Sequence, residues 1–367
     1  MQRVSELRII EESGDPGPGW DTFVATQSTG HLMQSRAWAA VLRDIGWIPY
    51  FLRLEEGGAI QAAALLAHWR PLGFLPGLLY IPRGPVLDYA NAEVCRVFAT
   101  ALGQVARRER VCFIQTDPAV PAEYSDAHTG LGHMGFKRID KQGLFRIAQP
   151  LRVMRIPLDR YGSPNGLWRA LPHKTRYNIG LASRKEVAVV CRTDHDACLD
   201  FHRMLAVTGR SKGFPVRGLK FHEALWKHCV QPGHGEYLFA EHAGRSLAAI
   251  HLLRFGSRTW YMYGATAPEE RHRMAPYLLH WEGISRAWES GSTCYDMRGV
   301  YSATPLRTDP EYGVYEFKRK FNAEMVIFLG EYDRVERPAA YRAWRRLELA
   351  LQRPAAQALR LRRAWRG

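Results

Sequence analysis

Hydrophobic and polar positions along the 367-residue chain follow two rhythms, and the same order of rhythms occurs twice. The stretch "EEGGAIQAAALLAHW" at 55–69 and the stretch "EHAGRSLAAIHLLRF" at 241–255 each read as a turn followed by an apolar strand. Aligned without gaps, they share Glu55/Glu241, Gly58/Gly244, Ala62/Ala248, Ala63/Ala249 and Leu66/Leu252. A second strand follows each, "LLYIPRGP" at 78–85 and "TWYMYGA" at 259–265. Then come apolar positions at helical spacing over about 93–109 and 275–290, and short strands opening on cysteine, "CFIQTD" at 112–117 and "CYDMRG" at 294–299. Each half closes with a helix running into a final strand, in "AEYSDAHTGLGHMGF" and in "PEYGVYEFKRKFN". The offset between the halves stays between 180 and 188 residues, the mark of an internal duplication.

Strand, strand, helix, strand, helix, strand predicts an α/β fold with mixed sheets, the central helix crossing between neighbouring strands. It resembles the acyltransferase unit of GCN5-related N-acetyltransferases, present in tandem. In that superfamily a glycine-rich loop opens the central helix and cradles the pyrophosphate of coenzyme A. The corresponding stretches here, "DYANAEVCRVF" and "EERHRMAPYLL", lack those glycines, so another donor is expected and no cofactor is assigned.

Composition narrows the class. With 46% hydrophobic and 24% charged residues and no apolar run near the length of a membrane span, the chain reads as a soluble globular protein, and its length favours two domains. Glu6, Glu11 and Glu12 interrupt any apolar leader, so a cytosolic location is expected. Six cysteines contain no C-x-x-C pair and the fourteen histidines lack ligand spacing, so no metal site is expected. The motifs of zinc proteases, serine hydrolases and P-loop nucleotide binding are missing.

The net charge of +15 is concentrated at one end, because ten arginines stand against Glu336 and Glu348 from Arg334 onward. Between Pro338 and Pro354 the residues Tyr341, Trp344, Leu347 and Leu351 recur at helical spacing, with Arg342, Arg345 and Arg346 expected on the other face. Two explanations stand side by side: a terminal helix docked on its own domain, or a basic amphipathic helix drawn to lipid headgroups or to nucleic-acid phosphates.

An ordered series then carries a second resemblance: "MQSRAWAAVLRDIGW" (33–47), "YIPRGPVLD" (80–88), "LPHKTRYNIGLASRKEVAV" (171–189), "TGRSKGFPVR" (208–217), "WYMYGA" (260–265), "LLHWEGISRAWESGSTCYDMRGV" (278–300) and "GVYEFKRKFNAEMVIFLGEYD" (313–333). Together they resemble the FemABX family of peptidoglycan bridge-forming aminoacyltransferases, from about Leu32 to Asp333. The resemblance implies transfer of glycine, alanine or serine from aminoacyl-tRNA to a stem-peptide amine of a lipid-linked or UDP-linked peptidoglycan precursor. It also implies that the chain end completes the first domain: residues 1–150 with 330–367, then 151–329, without a coiled-coil arm.

It further implies roles for individual residues. Lys318, in the Phe-Lys pair of "YEFKRKFN", would stand beside the tetrahedral oxyanion, with Phe317 and Phe321 offering ring faces to a terminal adenine. Lys320 and Arg319 are the alternatives for that cation. Asp117 would be the general base, with a turn cap as the alternative. Arg217 and Tyr263 match phosphate- and cleft-lining positions, and Phe221 stands where some relatives have a hydrogen-bonding tyrosine. Ala40 and Val41 occupy the region of a phosphate-binding lysine in those relatives, for which Arg36 or Arg43 would compensate. The basic helix with Lys174, Arg176 and Arg184, together with Lys320, would hold RNA backbone. Asp296 and Gly299 read as structural.

Three functions follow: the tRNA-dependent aminoacyltransferase, with the arginine-rich tail at the inner membrane face; an acyl-coenzyme A N-acyltransferase acting on a sugar or small amine; and a non-catalytic RNA- or membrane-binding protein.

Overall fold

A computed structural model describes residues 7–70, 76–139, 149–300, 302–309 and 312–346. The chain divides into two compact units, Met1–Gln149 with Phe328–Gly367, and Pro150–Ile327.

The first unit contains β1 (Arg8–Glu12), β2 (Ile48–Glu56), β3 (Ala59–Trp69), β4 (Leu78–Ile81), β5 (Val86–Leu87), β6 (Phe113–Thr116) and β7 (Lys137–Arg138). The second contains β8 (Arg152–Pro157), β9 (Ala188–Arg192), β10 (Gly235–His242), β11 (Arg245–Phe255), β12 (Arg258–Thr266), β13 (Cys294–Val300) and β14 (Glu324–Ile327). The chain then returns to the first unit as β15 (Tyr332–Val335). The first sheet runs β1-β2-β3-β4-β6-β15-β7, with β5 beside β3, and the second runs β14-β8-β13-β12-β11-β10-β9.

Both sheets are mixed in the same way. Each has one parallel pair, β4 with β6 and β12 with β13, and in each a helix links the pair, Ala92–Arg108 or Ala275–Glu289. The hairpins β2–β3 and β10–β11 also match. Two residues with positive φ turn each one, Gly57 and Gly58 in the first and Ala243 and Gly244 in the second. A bulge interrupts the register between Leu54 and Glu55 in the first unit and between Ala240 and Glu241 in the second, 186 residues on, the offset already seen in the sequence.

The cores follow from the two periodicities. In the first unit, Leu52, Leu54 and Leu66 on the strands meet Phe98, Leu102 and Val105 on the helix Ala92–Arg108, whose start Asn91 caps through the N–H groups of Glu93 and Val94. In the second, Ile250 and Leu252 meet Leu279 and Ile284 of the helix Ala275–Glu289. The segment between Ala182 and Tyr237 folds back onto its own sheet: Phe201 and Leu205 of the helix His195–Lys212 are buried, and Thr208 donates to the Thr266 carbonyl at 3.2 Å.

Helical residues 338–346 dock on the first unit. Tyr341 and Trp344 pack edge-on against Phe113 at 5.3 and 6.1 Å, and Trp344 meets Trp69 at 5.6 Å. Arg345, expected on the outer face, turns inward instead: it pairs with buried Asp333 and lies over the Phe113 ring at 5.3 Å. A charge partner beneath the helix outweighs helical patterning here. Leu347, Leu351 and the arginines beyond lie outside the described residues. No described helix is long and apolar enough to cross a membrane.

Candidate active site

Lys318 sits on the short helix Tyr312–Arg319, which ends where Asn322 adopts a left-handed φ of 58° and donates its amide to the Ala170 carbonyl at 2.9 Å. The lysine is only 5% exposed. Its ammonium donates to the Gly299 carbonyl at 2.7 Å and the Arg298 carbonyl at 3.2 Å, both at the end of β13. The pairing of β13 with β8 is irregular between Asp296 and Gly299, and carbonyls beside that irregularity become a seat for a cation.

Around it stands an aromatic wall. Phe317 is half-buried and meets Tyr277 at 5.1 Å, His280 at 5.2 Å and Phe321 at 5.3 Å. Phe321 is 0% exposed, so its face is not available to an incoming base, and the stacking expected of it falls to Phe317 alone. His280, on the helix Ala275–Glu289, stands within reach of the Lys318 charge at a position that periodicity conceals among core positions. Burial, then the charge of Lys318, pushes its pKa down to about 3, so the imidazole is neutral across the physiological range.

Arg298, whose carbonyl faces Lys318, has a positive φ of 63°. Its N–H donates to Asp296 Oδ1 at 2.8 Å, and Asp296 Oδ2 accepts from Arg155 Nε at 2.9 Å. The carboxyl of Asp296 is driven up by burial, yet Arg155 and Arg298 outweigh this and hold it below its ordinary value. The expectation that Asp296 and Gly299 are structural becomes specific: one fixes the Arg298 backbone, and the other offers its carbonyl to Lys318.

Arg298 also faces Tyr263. Burial raises the Tyr263 phenol, with the charges of Arg298 and Arg217 acting against it and Arg217 donating a hydrogen bond to it. Arg217 is exposed and lies 5.0 Å over the ring of buried Phe221, which meets Tyr263 edge-on at 6.3 Å. The fold thus brings Arg217, Phe221, Tyr263, Phe317 and Lys318 into one region of the second unit. Phe221 supplies packing and a platform for the guanidinium where a tyrosine would supply a hydroxyl.

The expected RNA-binding residues flank the same helix end. Thr175 donates to the Lys320 carbonyl at 2.9 Å, tying the helix His173–Arg184 to the turn after Lys318. Lys174 is exposed; Arg176 and Lys320 are half-buried, and Arg176 donates to the Arg169 carbonyl at 3.4 Å.

Asp117 belongs to the first unit. Its carboxylate is buried and accepts from the Arg83 N–H at 2.9 Å, the Tyr80 hydroxyl at 2.8 Å and the Gln149 N–H. Burial raises its pKa, with the Arg83 charge and these donors pulling the other way. Such bonds are those of a cap on the chain around Arg83. Arg36 is likewise engaged, in an ion pair with Asp15, while Arg43 is exposed. Among the described residues no cluster of histidine, cysteine or carboxylate side chains has the arrangement of a metal site.

The model of the FemAB family matches residues 18–134 and 236–348. A curated relative, the lipid II:glycine glycyltransferase of Staphylococcus aureus (strain USA300), is 24% identical over an alignment covering 86% of this chain and 90% of its own. The crystal structure of FemX superposes with a TM-score of 0.82 at 22% identity, covering 91% of this chain and 99% of that one. A tandem GNAT protein from the clavulanic acid biosynthesis pathway superposes with a TM-score of 0.55 at 13% identity, over 89% of this chain and 98% of its own. The fold is therefore that of two tandem GCN5-related N-acetyltransferase-like units.

Proposed function

The chain belongs to the FemAB family and is an acyltransferase-type enzyme, and from that premise we propose that it moves an amino acid from aminoacyl-tRNA to the stem-peptide amine of a peptidoglycan precursor. The acceptor nitrogen attacks the ester carbonyl, a tetrahedral oxyanion forms, and the bond to the tRNA ribose oxygen breaks. The proton that the attacking nitrogen loses is the one that this oxygen gains as the new amide forms. The observation that carries this reading is Lys318, seated by two strand-end carbonyls and 5% exposed, where its charge is little screened by water.

Each neighbour has a part. Neutral His280 packs beside the lysine without adding a competing charge, so the field at the oxyanion is that of Lys318. Phe317 offers its exposed edge to the tRNA acceptor end. Arg217 and Tyr263 hold the phosphates and sugar of the precursor, with Phe221 supporting the guanidinium. Lys174, Arg176 and Lys320 carry RNA backbone. Asp117 is kept as the candidate base only through its place in the family pattern, and the arginine-rich end of the chain as a contact to the inner membrane face.

The test is transfer of label from tRNA charged with glycine, alanine or serine to lipid-linked and UDP-linked precursor, with acetyl-coenzyme A in parallel. Label should reach a precursor from one aminoacyl-tRNA, and Lys318→Ala should lower kcat about 10²–10³-fold, as for loss of an oxyanion donor. Acetyl transfer with no transfer from any tRNA would replace this reading with the coenzyme A one.

A further inference from the structure

The helix His195–Lys212 and the loop after it carry a surface of which the proposed chemistry uses Arg217 alone. Exposed positions on the helix recur as Arg203, Val207 and Arg210, one face at i, i+4 and i+7. Gly213 ends the helix with φ 74°, its N–H bonded to the Gly209 carbonyl at 2.8 Å. Val216 is tucked inward, and Phe214 and Leu219 are turned out, 42% and 36% exposed.

Charge in this segment has one sign. No acidic residue lies between Asp200 and Glu223, and five basic ones do. Arg203 pairs with Asp200 at 3.2 Å, which leaves Arg210, Lys212, Arg217 and Lys220 as the cations nearest in sequence to the two exposed apolar side chains, Lys212 being held below its ordinary pKa by burial and then by the Arg271 charge.

We propose that residues 207–220 are a membrane-docking lip, in which Phe214 and Leu219 enter the headgroup region of an anionic bilayer and the surrounding cations meet lipid phosphates. Exposed aromatic and aliphatic tips ringed by lysine and arginine are the composition of an interfacial anchor. A nucleic-acid surface would use the cations and one aromatic ring, but Leu219 and Val207 gain nothing from a phosphodiester chain. The lip rests on the proposed lipid-linked acceptor for its purpose, because Arg217, assigned to precursor phosphates, lies on it. Membrane binding itself is measurable without any precursor.

The test is co-sedimentation of the full chain with vesicles of phosphatidylcholine alone and with phosphatidylglycerol added. The wild-type chain should sediment with the anionic vesicles, and raised salt should weaken this. Phe214→Ser/Leu219→Ser should weaken it about tenfold or more, and Arg210→Glu/Lys212→Glu likewise. Leu306→Ser, at a position 68% exposed and outside the lip, should bind as wild type does. Phe214 and Leu219 are partly covered, so thermal midpoints are measured beside binding, and a midpoint close to wild type separates lost docking from lost folding. The lip variants should transfer normally to a UDP-linked acceptor and slowly to a vesicle-bound one. Wild-type affinity in both lip variants, indifference of the wild type to anionic vesicles, or loss of tRNA binding with vesicle binding intact would each overturn the proposal. Absence of any tRNA-dependent transfer, with the lip binding vesicles as expected, would instead remove the proposed reaction and leave the lip standing.

Discussion

The two units share strand order, crossover helix and even the position of a hairpin bulge, yet they differ at the positions from which the lysine seat is made. Aligning Tyr124 with Tyr312 sets Gly130 opposite Lys318. In the first unit a Cβ at Gly130 would lie 2.5 Å from the Tyr89 carbonyl oxygen, so the helix Ser125–His133 is pressed onto backbone with no room for a side chain. In the second unit the same place on the helix carries a long cation that reaches the strand end. Aligning Cys112 with Cys294 sets Asp117 opposite Gly299. One strand end presents a side-chain carboxylate to donors around it, and the other presents a bare carbonyl to an ammonium. A duplicated scaffold thus supports a charged site in one copy and a closed, packed contact in the other.

The buried carboxylates sharpen the contrast. Asp117 and Asp296 are both buried and both accept backbone N–H bonds, but their pKa values move in opposite directions. A direct ion pair with Arg155 makes the difference, since burial alone pushes both upward. The largest test of this contrast is Asp296→Asn, expected to cost about 3–5 kcal/mol in urea unfolding because the buried Arg155 charge loses its carboxylate, although the amide oxygen keeps an acceptor for the Arg298 N–H. Gly130→Ala comes next, at about 1–3 kcal/mol from overpacking against Tyr89, while alanine at Lys318 meets no such limit of space. Asp117→Asn should cost about 1–2 kcal/mol, because the amide keeps an acceptor for the Arg83 N–H and loses part of the rest.

The smallest effect is in pH dependence, read as the thermal midpoint of wild type and both variants between about pH 3 and pH 7. Asp296, with a lowered pKa, contributes stability that is present above about pH 4 and lost as pH falls through its folded pKa. The advantage of wild type over Asp296→Asn should therefore shrink toward acid. Asp117, with a raised pKa, favours the fold most when protonated, an effect complete below about pH 4 and lost as pH rises through its folded pKa. The advantage of wild type over Asp117→Asn should grow toward acid. Parallel curves for the two variants would break the comparison.

Much of the fold was legible because it is written in period. The alternation at 59–69 and 245–255, the helical spacing at 92–108 and 275–289, and the constant offset are local patterns, and strand and helix are local decisions. A shared cleft for Arg217 and Tyr263 follows from the resemblance, which supplies pairings that spacing does not, whereas the approach of Arg298 to both Lys318 and Tyr263 is visible only in the folded chain. His280 was hidden because a histidine on the inner face of a helix looks like any core residue until its neighbours are known. The motif places Phe321 beside Phe317 and predicts a ring face open to an adenine, while the folded chain buries it completely just before the left-handed turn at Asn322.

By itself, then, the sequence determined the repeat, the elements, their inward faces and the residue types able to carry charge. Tertiary structure decided who meets whom. Lys318 faces the carbonyls of Arg298 and Gly299, some twenty residues earlier in the chain, because β13 ends under its helix. Arg345 turns in because Asp333 lies beneath it, and Asp296 stays charged because Arg155 comes from a neighbouring strand. A side chain's preference for water or for apolar surroundings is intrinsic to it, and repeats along the chain. The partner that satisfies a buried charge is set by which strand and helix ends the folded chain brings together.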